Sequence, residues 1–72
     1  MSILIFRTNI ETKGMVNFMG TIFNDHPGIR SWFVDIEDID NVLRIEASQQ
    51  LQLMDVVQLC HRHGFQCEEL PD

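Results

Sequence analysis

Ile29-Arg30-Ser31-Trp32-Phe33-Val34-Asp35-Ile36 is followed by Glu37-Asp38-Ile39-Asp40-Asn41 and then by Val42-Leu43-Arg44-Ile45-Glu46-Ala47. Trp32, Val34 and Ile36 alternate with Phe33 and Asp35, the period of a half-buried strand. Asp38 to Asn41 is turn chemistry, because Asp and Asn side chains bond their own backbone two residues on. Val42 to Ala47 then predicts a second strand, so the centre of the chain is a β-hairpin.

Working outward, each side of the hairpin carries a helix and then a strand. Towards the N-terminus, His26-Pro27-Gly28 stops a helix, since proline cannot continue one and glycine tolerates the turn. Before it, Met15, Met19 and Ile22, with Val16 and Phe23, fall at helical spacing from Met15 to about Asn24. Thr12 offers an N-cap hydroxyl, and Ile3 to Thr8 is apolar and β-branched enough for a strand. Towards the C-terminus, Ser48 offers a second N-cap, and Leu53, Val56, Val57 and Cys60 follow i, i+3, i+4, i+7. Gly64 suits a left-handed helix stop, and Phe65 to Leu70 predicts a short last strand before Pro71. The order βαββαβ with right-handed crossovers is an α+β, ferredoxin-like sandwich: two helices on one face of a four-stranded antiparallel sheet.

Composition bounds what such a domain can do. The chain has 72 residues, 44% hydrophobic and 22% charged, the proportions of a globular domain. A chain this short buries only about 60% of its unfolded surface, enough for one core and one domain over residues 1–72. Eleven acidic against five basic residues give a formal charge of −6, which argues against a nucleic-acid backbone or an anionic lipid surface as partner. The apolar start Ser2 to Phe6 meets Arg7 at once and lacks a basic leader, and no apolar run approaches a membrane span. The expectation is a soluble, cytoplasmic protein with Cys60 and Cys67 as free thiols.

Several residues carry a resemblance. Thr8-Asn9-Ile10, a short loop, a helix opening with Met15-Val16, Gly28-Ile29, Trp32-Phe33-Val34-Asp35, Leu43-Arg44-Ile45-Glu46 and the late Gly64-Phe65 together resemble the heavy-metal-associated domain. That family supplies small copper chaperones and the N-terminal modules of metal-pumping ATPases. The resemblance implies a CxxC pair at the end of the first loop and the start of the first helix. Thr12-Lys13-Gly14-Met15 stands there instead. Soft Cu(I), or borderline Zn(II), prefers anionic sulfur. A threonine hydroxyl does not ionise near neutrality, and a methionine thioether is weak and neutral.

A replacement copper or zinc site would have to combine Met15 with Cys60, His61 or His63 at the end of the second helix. The simpler reading is structural. Cys60 lies on its helix's apolar stripe, and His61 and His63 are cations in waiting at a helix C-terminus. Positions two apart also diverge around a helix. Cys67 shares strand parity with Phe65 and reads as buried, while Asp35, Glu37, Asp38 and Asp40 lack the spacing of a calcium loop. Catalysis is not expected: Ser2, Ser31 and Ser48 have no histidine placed beside them, and neither a Gly-rich phosphate loop nor HExxH is present.

Recognition surfaces remain. Strand parity puts Ile3, Ile5, Phe33 and Val42 on the open sheet face, a patch if they adjoin. Phe18, with Met15 and Ile22, forms a second stripe near the place where the family's partners dock. The function expected is therefore a metallochaperone-like module without its thiolate pair, acting through a protein partner or by self-association, with no cofactor. The rivals are a metal chaperone or sensor using the Met/Cys/His set, and a small-molecule-sensing regulatory domain, the latter by fold analogy alone.

Overall fold

The computed structural model describes residues 2–71, so the two terminal residues of the 1–72 domain, Met1 and Asp72, lie outside it. Its elements are β1 (Ser2–Thr8), α1 (Lys13–Asn24), β2 (Ile29–Asp35), β3 (Val42–Ala47), α2 (Leu53–Arg62) and β4 (Cys67–Glu69). The sheet order is β2-β3-β1-β4 with every neighbouring pair antiparallel. This is the ferredoxin-like α+β sandwich, its two helices on one sheet face.

The core follows from alternation. Phe6 and Thr8 of β1, Leu43, Ile45 and Ala47 of β3, Val34 of β2 and Cys67 of β4 are buried under Met19, Phe23, Val56, Val57 and Cys60 of the helices. Ile29 is buried on the same side as Trp32 and Val34 packing, although strict alternation forbids it. A β-bulge at Arg30 removes the conflict: Ile29 faces Ala47 while Ser31 already faces Glu46, so one extra residue resets the parity. α1 comes close to β2 at Gly20, where a Cβ would stand 2.7 Å from the Trp32 ring. Trp32 stacks on Phe23 and its Nε1–H donates to Asn24 Oδ1 at 2.8 Å.

Four boundaries differ from the sequence expectation. α1 starts at Lys13, two residues before Met15, directly behind its Thr12 cap. β2 ends at Asp35, so Ile36 begins the turn. The N-cap of α2 is Gln52 and not Ser48; Gln52 and Asp55 form a reciprocal capping box, with the Gln52 N–H donating to Asp55 Oδ2 at 2.8 Å. Ser48 instead extends the hairpin by donating its N–H to the Gly28 carbonyl, and buried Leu51 carries the chain inward before the helix opens. The last strand is shorter than Phe65 to Leu70 because α2 ends in a Schellman turn. His63 is the cap and Gly64 has φ +88°. Gly64 N–H donates to His61 O, and Phe65 N–H to Cys60 O. The chain reverses there, and pairing with β1 begins only at Cys67.

The acidic hairpin turn is held by its own backbone. Asp35 Oδ1 accepts from Glu37 N–H and Asp38 Oδ1 from Asp40 N–H, while Asn41 takes the left-handed φ of 45°. Asp40 and Glu68 flank the half-exposed Arg7 at 3.2 and 3.1 Å, surface pairs of small energetic weight.

Candidate functional site

The loop between β1 and α1 is built from below. Thr8 Oγ1 donates to Asn41 O at 2.7 Å and accepts from Ile10 N–H at 3.2 Å, so one buried hydroxyl ties the loop to the hairpin turn. Ile10 is fully buried and anchors the loop to the core. Asn9 Oδ1 accepts from Gln66 N–H at 2.8 Å, joining the loop to the segment between α2 and β4. Above these anchors the chain is exposed from Glu11 to Gly14.

At the two positions where the resemblance implies cysteines, both side chains serve the helix start. Thr12 Oγ1 accepts from the Met15 N–H at 3.1 Å, one of the unpaired donors of the first turn. Met15 turns back so that its Sδ lies 3.4 Å from the Glu11 N–H, and the rest of its side chain leans on the core. The end of α1 therefore presents Lys13 and Gly14 outward, with neither an anionic ligand nor an acidic residue in the first turn.

Phe18 is 51% exposed, the least covered aromatic on α1. Its ring meets His63 edge-on at 5.9 Å and Phe65 at 6.3 Å. Phe65 reaches this cluster because the Schellman turn throws it back over α1; the strand reading of Phe65 concealed it. The positive φ of Gly64 was the signal that could have located it. Nothing in the sequence marked the hydrogen bond by which Asn9 and Gln66 join the loop to the segment before β4.

The four residues of the alternative metal set go to different places. His63 faces α1. His61 lines the rim of a cavity of about 350 Å³ with Arg7, Thr8, Gln66, Cys67 and Glu68, on the β1–β4 side. Cys60 is fully buried under the sheet, and Cys67 of β4 is buried as well. Met15 stays with Glu11. Among the described residues, no three His, Cys, Asp or Glu side chains gather as a metal cluster. Both cysteines are free and buried. Donation to Cys60, reinforced by burial, pushes the Cys67 thiol up, and the same hydrogen bond draws Cys60 down against its own burial.

On the open sheet face the expected apolar residues do not adjoin as one patch. Ile5 and Phe33 both pair with Arg44 across β3, so a guanidinium stem separates them. Ile3 pairs with Glu46, and Val42 with Asp35. Phe33 is 61% exposed and Ile3 is also exposed, while Ile5 and Val42 are half-buried. A cavity of about 460 Å³ lies between α2 and the loops around His26 and Ser48. Two of its polar groups are already engaged locally: His26 Nδ1 accepts from Gly28 N–H and Asp55 caps its helix. No helix is long and apolar enough to cross a membrane among the described residues.

No known family model matches this sequence, and no curated protein matches it. Solved structures do. One, from work on crosstalk between Cu(I) and Zn(II) homeostasis, superposes with a TM-score of 0.83 over 97% of this chain and 100% of that one, at 10% identity. The yeast copper transporter domain CCC2A, solved in apo and Cu(I)-loaded states, superposes with a TM-score of 0.81 over 97% of this chain and 96% of its own, at 15% identity. At such identities the likeness is one of fold. The chain shares the whole architecture of domains from copper and zinc handling, end to end.

Proposed function

We propose that this chain is a metallochaperone-like scaffold that has lost the thiolate pair and works as a protein-interaction module. The observation that carries the reading is what occupies the head of α1: a hydroxyl engaged in capping and a thioether folded onto Glu11 N–H. Two neutral, already partnered groups do not hold Cu(I) or Zn(II) as two thiolates would. The exposed ring of Phe18 beside His63 and Phe65 supplies an apolar docking point in their place. Self-association through the open sheet face is the second form of the same reading, favoured by the exposure of Phe33 and Ile3.

The test is a competition titration of the reduced chain with Cu(I) and with Zn(II) against a chromophoric chelator. The chain should compete no better than a protein with exposed histidines alone. Tight one-to-one binding abolished by Met15→Ala would replace this reading with that of a metal carrier using Met15, Cys60 or the histidines.

A further inference from the structure

α2 presents a second face that neither the core nor the loop at the head of α1 uses. Leu53, Val56, Val57 and Cys60 turn to the core. Asp55, Gln58, Leu59 and Arg62 follow i, i+3, i+4, i+7 along another side of the same helix. That side walls the cavity of about 460 Å³, together with the loops at 26–28 and 48–51, a volume in the range of small-molecule pockets. The two loops are tied to each other and to themselves. Ser48 N–H donates to Gly28 O at 2.9 Å, and Leu51 N–H to Ser48 O at 3.2 Å. Gly28 permits their close approach, since a Cβ there would stand 3.1 Å from Leu51 Cβ and 3.2 Å from His26 Cε1.

The lining has an apolar part and a donor part. Pro27, Leu51 and Leu59 supply the first. In the second, His26 Nδ1 accepts from Gly28 N–H at 3.0 Å, so the ring proton is on Nε2, free to donate. The Ser48 hydroxyl and the Gln58 amide add neutral donors. Helical side chains lean toward the N-terminus, so Arg62, the last residue of α2, reaches the cavity from above Gln58 and Leu59. Among the described residues its guanidinium pairs with no carboxylate. We infer that this cavity binds a small organic monocarboxylate with a branched aliphatic body. Arg62 takes the carboxylate in its planar fork, the neutral donors complete its shell, and the hydrocarbon lies on Leu51 and Leu59. Asp55 limits the ligand to one negative charge: its Oδ2 is held by the Gln52 N–H, and it stands two helical turns from Arg62 in the same wall, where it repels a second anionic group. The inference adds a small ligand to the protein-binding role proposed above and does not depend on it.

The experiment titrates the nitrogen-15-labelled chain with 4-methylpentanoate and follows the backbone amides. Gly28, Ser48, Leu51, Leu59 and Arg62 should shift together and saturate, with a Kd below about 1 mM, while Phe18 and Phe33 stay unmoved. 4-Methylpentan-1-ol has the same body without the charge, inorganic phosphate has charge without the body, and 3-methylglutarate has a second carboxylate. Each should bind at least about tenfold more weakly, the loss expected when a charge-assisted contact or its apolar complement is missing. Gln58→Glu separates binding from folding. The new carboxylate, four residues before Arg62, pairs with it along the helix and supports α2, but takes the guanidinium from the ligand. Saturation should vanish while the melting temperature holds or rises. Arg62→Gln should weaken binding about tenfold or more, and Arg44→Gln, on the open sheet face, should leave it unchanged. No saturable shift up to about 10 mM, shifts centred on the loop between β1 and α1, equal binding of any of the three comparison compounds, or undiminished binding by folded Gln58→Glu or Arg62→Gln would each overturn the inference.

Discussion

Two sulfur-bearing regions of this molecule, the head of α1 and the junction of α2 with β4, differ in chemistry and in access. At the head of α1, Met15 is half-buried beside the exposed loop, and its thioether is neutral and rests on a backbone N–H. Under α2 and at β4, Cys60 and Cys67 carry two free thiols, but both are closed inside the core. A soft-metal site needs anionic sulfur and access together. This chain divides those requirements between the head of α1 and the buried junction of α2 with β4. On the function proposed above, Thr12 and Met15 leave the head of α1 without the anionic sulfur that a soft-metal site needs.

The strongest way to break the comparison is to bring both requirements to one place. Thr12→Cys with Met15→Cys sets two thiols at the N-cap and third position of α1, where free backbone N–H groups favour the thiolate. Affinity for Cu(I) should rise by more than about a thousandfold, ~4 kcal/mol, with thiolate-to-metal charge-transfer absorption when Co(II) is used as the probe. Neither single substitution should approach it. A folded double variant without this absorption would mean that the loop is not placed as in the copper domains.

The sheet, both helices and the Thr12 cap were legible because each rests on a local signal: alternation, helical spacing, a proline stop, a glycine αL turn. What escaped depends on several residues acting at once. The bulge at Arg30 exists because Ile29 and Trp32 both seek the core, and alternation alone admits only one. Ser48 looked like a cap by residue type, yet burial of Leu51 moved the helix start to Gln52. The close pass of α1 over Trp32 needs Gly20, which a helical pattern reads merely as a weak position. At the candidate site, the identity of Thr12 and Met15 could be read directly; the cluster of Phe18, His63 and Phe65 could not, because Phe65 lay inside an apparent strand.

The open sheet face sharpens the comparison by asking which exposed region recognises a partner. Arg44 between Ile5 and Phe33 breaks the apolar surface, so any homodimer formed here is weak and depends on ion pairs such as Arg44 with a second copy's acidic strand residues. Light scattering over rising concentration should show reversible dimerisation. Phe33→Glu should weaken it about ten- to a hundredfold, for a lost burial of roughly 1.5–3 kcal/mol. Phe18→Glu should leave it unchanged. If Phe18→Glu dissolves the dimer and Phe33→Glu does not, the aromatic cluster at the head of α1 is the self-association surface.

The smallest effect concerns Thr12 itself. Its hydroxyl satisfies the Met15 N–H at 3.1 Å, and loss of such a cap costs about 1 kcal/mol. Thr12→Ala should therefore lower the melting temperature by about 4–8 °C, the shift expected for that energy in a domain of this size. Because α1 also loses the group that fixes its first turn, amide exchange should quicken at Gly14 and Met15 before it does at Met19, which is fully buried. Thr12→Ser keeps the acceptor oxygen and should recover most of the loss. Cu(I) competition by Thr12→Ala should match that of the parent chain, since a capping hydroxyl contributes stability and no ligand. A fall in metal affinity with unchanged melting would assign Thr12 to a binding site instead, and the division between an accessible but neutral loop and a thiol-bearing but closed interior would no longer hold.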